Sequence, residues 1–224
     1  MLLYHGSKYI VEQPQYGKGK KNNDYGLGFY CTASIELAKE WACDEIYDGY
    51  ANIYEIDDTD LNILKLNNGD YNILHWLALL LRFRSFRLTN DLAKDAREYL
   101  LNTFALDLNG YDTIIGYRAD DSYFSFAEDF LNNAISINKL KHAMYLGELG
   151  EQFVLKSPLA FSKIKFLGAE QALRKDYLVP KKFRDLKARK EYLDSNRSYR
   201  YNRNDLYMLD ILRQEVKADD PRLF

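Results

Sequence analysis

The apolar and polar positions of the chain change rhythm several times, and each change marks an element. Residues 2–5 read as a strand and run into His5, Gly6 and Ser7. A polar loop follows from 7 to 28, which Gly17, Gly19, Gly26 and Gly28 make mobile or close-fitting. Residues 29–32 predict a second short strand. In "SIELAKEWA", Leu37, Ala38, Trp41 and Ala42 recur at helical spacing; Ser34 is placed to cap the first turn and Glu36 to favour the helix dipole. Residues 52–56 and 61–66 read as further strands.

From 71 to 104 the spacing is helical, first in "ILHWLALLLRF" and then in "NDLAKDAREYLLNTFA". Residues 111–117 predict a buried strand, and "SYFSFAEDFLNNA" a helix that Asp121 or Ser122 would cap. Residues 152–156 and 163–167 predict two more strands. After Val179 and Pro180 the chain turns charged, with helices expected near 181–194 and 204–217. Strands and helices mixed without regular alternation indicate the α+β class rather than a doubly wound sheet. The pattern predicts a domain over residues 1–170 and a basic, helical extension over 171–224.

Composition narrows the class. A chain of 224 residues that is 47% hydrophobic and 29% charged is globular, and its net charge of -2 gives no overall pull toward nucleic acid or membrane. Cys31 and Cys43 are too few for a disulfide framework, and His5, His75 and His142 are not at metal-ligand spacing, so no metal is expected. The longest apolar run, residues 73–81, falls well short of the roughly 20 residues a membrane span needs. With no leader-like start, a cytoplasmic protein with reduced thiols is expected. Locally the charge is uneven: from Arg174 to Arg203 there are eleven Lys or Arg against four Asp or Glu. That stretch is a solvated helical face, an RNA or DNA surface with Tyr192, Tyr199 and Tyr201 as stacking groups, or a dock for an acidic partner.

Three stretches carry candidate chemistry: "YHGS" at a strand end, "GLGFYCTASIELAKEWA", and "GELGEQFVLKS". Each alone has a plain reading, as a turn, a core helix and a solvated acidic loop. In this order they resemble the NAD-binding core of ADP-ribosyltransferases of the diphtheria-toxin and poly(ADP-ribose) polymerase type. Together with "YDTIIGYRADDSYF" they resemble, over residues 1–170, a bacterial family of ADP-ribosyltransferase-like proteins, some found in toxin–antitoxin and phage-defence loci. The resemblance implies a split antiparallel β-sheet core with flanking helices. It implies NAD as co-substrate, a macromolecular acceptor (protein, RNA or DNA), and in some settings an antitoxin partner.

It also implies roles. His5 would hold the adenosine ribose, and Gly6, beside Ser7, would leave its backbone free for the carboxamide. Tyr30 and Trp41, eleven positions apart, would stack on the cationic nicotinamide. Arg118 would meet the pyrophosphate, while Asp120, Asp121 and Glu148 would orient the acceptor. A carboxylate would stabilise the oxocarbenium-like transition state. Here the chain departs from the pattern: strict register puts Gln152 in the glutamate's place, with Glu151 one position before it. Strand alternation turns Glu151 away unless a bulge intervenes. That departure implies mono-transfer rather than polymer synthesis, or else a catalytically inactive NAD-binding module. A nucleic-acid-binding protein led by the basic extension is the remaining alternative.

Overall fold

The computed structural model describes residues 1–119, 121–146, 150–198 and 205–224, with the side chains at 121, 122 and 196–198 outside the description. β1 (Leu2–Ser7) leads through the long polar loop to β2 (Phe29–Cys31), α1 (Ile35–Ala42) and β3 (Gly49–Ile56). β4 (Ile63–Lys65), α2 (Ile73–Phe83), α3 (Asp91–Thr103) and β5 (Thr113–Tyr117) follow. Then come α4 (Asp121–Leu131), α5 (Ile137–Ala143), β6 (Glu151–Leu155), α6 (Pro158–Ser162) and β7 (Ile164–Ala172). α7 (Arg174–Ser198), α8 (Met208–Arg213) and a 3-10 turn at Pro221–Leu223 end the chain.

The strands form two sheets, one ordered β1-β3-β7 and antiparallel, the other ordered β2-β6-β5-β4. Among the described residues a single bridge joins them, in which Tyr4 and Thr32 exchange main-chain hydrogen bonds of 2.8 and 2.9 Å. The α+β class is therefore observed. The expected all-antiparallel core needs one correction, because β4 and β5 run parallel. Parallel neighbours require a long crossover, and α2 and α3 supply it.

Local chemistry explains the elements that frame the cleft. Ser34 caps α1 by accepting from the Leu37 N–H. α1 lies so close on the β1–β3 sheet that a Cβ at Gly6 would stand 2.0 Å from the Ala38 carbonyl oxygen, and one at Gly49 2.2 Å from that of Ala42. Gly6 is thus already required by packing, whatever else it does. Asn72 and His75 close a reciprocal cap on α2, whose residues from Ile73 to Leu81 are all buried. Among the described residues no helix is long and apolar enough to cross a membrane.

The C-terminal elements differ most from expectation. α7 is one helix that begins at Arg174 and passes through Pro180, instead of starting beyond it. Proline removes one internal hydrogen bond, but Pro180 sits on the exposed side and the inward face is anchored further along. There Ala188 and Tyr192 join the main core, and Arg184 makes a bidentate pair with buried Glu40. Leu206, Met208, Ile211, Val216 and Leu223 complete the same core, which also takes in α2 to α5. Tyr192 stacks on Phe126 at 4.0 Å and donates to Asp129, so the expectation that it stacks on nucleic acid is corrected: its ring is interior. Tyr199 and Tyr201 lie outside the described residues.

Candidate functional site

The loop before β2 is tied down by long-range contacts, and that fixing creates the site. Tyr25 is fully buried and donates to the Tyr117 carbonyl at 2.6 Å, a reach open only because Gly116 carries no side chain. The Tyr30 hydroxyl donates to the Gly26 carbonyl at 2.6 Å and accepts from the Tyr25 N–H at 3.0 Å. Burial raises both phenols above their ordinary value of 10.0, which keeps them protonated donors. Lys156, one residue past β6, donates to the carbonyls of Tyr25 at 2.7 Å and Leu27 at 2.5 Å. Burial, with the Arg82 charge as a smaller cause, pulls its ammonium down to about 8.

Held this way, the loop delivers Asp24 to a cavity of about 190 Å³ lined by Asn23, Asp24, Tyr30, Trp41, Arg84, Arg118, Ala119 and Gln152. Asp24 is only 5% exposed. Its Oδ2 accepts from Gln152 Nε2 at 2.8 Å and from the Ala119 N–H at 3.1 Å, and its Oδ1 lies 3.5 Å from Arg84 Nη1. Burial raises the carboxyl above its ordinary value, opposed by those hydrogen bonds and by the Arg84 and Arg118 charges. The Arg118 guanidinium lies over the Trp41 ring, 3.4 Å from its centroid. Trp41 Nε1 is buried with no hydrogen-bond partner among the described residues. Arg118 also lines a larger cleft of about 590 Å³ between the turn after α1 and α7, beside Lys181, Lys182, Asp44 and Glu45.

Tyr30, Trp41, Arg118 and Gln152, taken from separate stretches of sequence, therefore meet in one cavity. His5 stands beside it without lining it. Burial pulls its imidazole below 6.5, with the Tyr30 contact a smaller opposing effect. The neutral ring donates from Nδ1 to the Tyr30 carbonyl at 2.7 Å, which leaves Nε2 as an acceptor. Ser7 is engaged locally: it donates to the Tyr9 carbonyl and accepts from Asn52 Nδ2 at 2.9 Å, within a node that shapes the start of the loop. Glu151 points away from the cavity. It is exposed and accepts from Asn67 Nδ2 at 2.9 Å, on the opposite face of β6 from buried Gln152. No bulge is present in the β5–β6 register to turn it inward. Asp120 and Glu148 lie outside the described residues, and of Asp121 only its place at the start of α4 is described.

Four of the eight lining residues carry no sequence expectation, Asn23, Asp24, Arg84 and Ala119, and of these Asp24 and Arg84 bring charge. The signal for Asp24 was its position just before Gly26 in the glycine loop; Arg84 offers none beyond following an apolar helix.

Neither a search of curated proteins nor one of solved structures returned a match. A family model described as "Protein of unknown function (DUF3990)" matches residues 1–166. That span holds every residue lining the smaller cavity and stops within β7, before α7 and α8. Over most of its length, and over the whole of that cavity, the chain belongs to the DUF3990 family.

Proposed function

We propose that this protein is a toxin-like, NAD-dependent mono-ADP-ribosyltransferase acting on a macromolecule inside the cell. One observation carries the reading: Tyr30, Trp41, Arg118 and Gln152 share one cavity with the second guanidinium of Arg84. Its volume is below the roughly 300 Å³ at which whole small-molecule sites begin, so it suits one end of a longer ligand. A flat ring fits between aromatic walls, and a diphosphate suits two arginines. The Trp41 Nε1 donor, buried without a partner, can meet a ligand oxygen such as the carboxamide's.

NAD, when bound, supplies a glycosidic bond already activated by its cationic ring. The C1′–N bond breaks with its electron pair going to nicotinamide, and C1′ bonds to the acceptor nucleophile, whose proton passes to solvent. Within the chain, Arg118 would leave the Trp41 face and turn to the diphosphate, and Gln152 would accept from a ribose hydroxyl. Tyr30, its hydroxyl tied to Gly26, would present a fixed ring.

The test is nicotinamide release and transfer of labelled ADP-ribose in a cell extract, followed by protease or nuclease digestion to class the acceptor. Gln152→Ala and Arg118→Ala are each expected to cut release by about 100-fold. Absence of release and of transfer by the unaltered protein sinks the reading. A second reading, an inactive NAD-binding module, draws support from Gln152 standing where a carboxylate is expected; calorimetric NAD binding without release would favour it.

A further inference from the structure

Gln152 brings an amide where charge is needed, and its surroundings decide what that amide can do. A glutamine side chain can present either its oxygen or its nitrogen. Here both near neighbours are acceptors: Asp24 Oδ2 at 2.8 Å and the Tyr117 carbonyl at 3.5 Å from Nε2. Only the NH2 end can face them. Oε1 is thereby turned from both, and no described residue donates to it, in a side chain that lines the cavity. The carboxylate behind the NH2 group also polarises the amide, adding electron density to Oε1 of this buried side chain.

We propose that Asp24 is a positioning residue that fixes Gln152 with Oε1 toward the cavity, making it a charge-reinforced acceptor for a ligand hydroxyl. On the NAD reading, on which this assignment of the ligand rests, that hydroxyl belongs to the ribose next to nicotinamide. Asp24 and Gln152 then divide the work of one glutamate: the amide makes the contact, and the carboxylate behind it supplies the negative potential. The charge is stabilised by Arg84, which follows α2, and Arg118, which follows β5. Tyr25 on the same loop and Tyr30 on β2 face it as neutral phenols.

A reciprocal exchange tests this. Asp24→Asn keeps an acceptor but removes the charge; it should lower nicotinamide release about 10-fold, leave KM for NAD within about two-fold, and abolish the fall in rate on the acid side. Gln152→Glu alone should be no more active than Asp24→Asn, because two carboxylates at that separation share a proton. The double variant Asp24→Asn/Gln152→Glu returns the charge to the cavity and should recover most of the rate. A merely structural Asp24 predicts no such rescue. In ligand-free protein, the Gln152 side-chain amide resonances, identified by their loss in Gln152→Glu, should shift with pH and stop doing so in Asp24→Asn. Amide signals indifferent to pH overturn the proposal even if NAD is never cleaved, and so does an Asp24→Asn enzyme with unaltered rate and pH profile. If the resonances titrate but the unaltered protein releases no nicotinamide, the positioning stands and the transferase reading falls.

Discussion

The cavity and α7 both carry many charges and use them in opposite ways. In the cavity, Arg84 and Arg118 are gathered about a buried Asp24, and burial works against its carboxylate. Along α7 the charges are spread over a surface and paired outward: Lys182 with Glu45, Lys187 with Glu191, Arg189 with Asp185. The first arrangement costs stability and creates a field at one point. The second costs little and creates none. A local excess of positive charge in sequence is thus weaker evidence for a site than a few charges brought together from distant segments.

The sharpest way to break this contrast is Arg184, an α7 charge that behaves like a cavity charge. Its partner Glu40 has only 6% of its side chain exposed. Arg184→Ala should cost about 2 kcal/mol in chemical denaturation; a change indistinguishable from zero would show that α7 is not anchored through this pair. Next is the pH dependence of Asp24→Asn. Because burial raises the folded carboxyl above its ordinary 3.8, the folded state holds the proton longer than the unfolded chain does. Ionised Asp24 therefore opposes folding as pH rises through that window. Asp24→Asn should equal the unaltered protein in stability at low pH and exceed it at neutral pH, as thermal melts across pH will reveal. The smallest effect belongs to the exposed pair: Lys187→Ala should move stability by less than about 0.5 kcal/mol. A larger loss would mean that α7 relies on its outer charges after all.

Much of the fold was legible because its signals are local. β1, β2 and β6 follow apolar runs, and Ser34 announces α1 in the way its hydroxyl caps it. α5 and α6 went unread because they are 7 and 5 residues long, too short for a periodic pattern to outweigh the surrounding loop. The turn to charged composition after Pro180 predicts a helix that starts there; instead α7 runs through Pro180, and packing at Ala188 and Tyr192 holds it against the proline's usual preference. Tyr192 itself shows that an aromatic interleaved with basic residues is no surface signal when the helix has an inward face.

The site divides along the same line. Tyr30, Trp41, Arg118 and Gln152 sit at or near strand ends and helix faces, where spacing fixes direction. Asp24 depends instead on Tyr25 reaching Tyr117 across 92 residues and on Lys156 gripping the loop, and no local rule encodes such contacts. Glu151 and Gln152 differ only by strand alternation, which the even β5–β6 register preserves.

The guanidinium of Arg118 on Trp41 has one more consequence. It acts as a resident competitor, part of the protein itself and always present at the same effective concentration. A ring arriving on that face of the indole is measured against the stacking it replaces, so observed affinity is a difference between two contacts. Ligands that offer an anion to receive the displaced arginine gain twice, and those that offer only a ring gain once. On the proposed NAD reading, a preference for a ring joined to a phosphate would follow from that exchange.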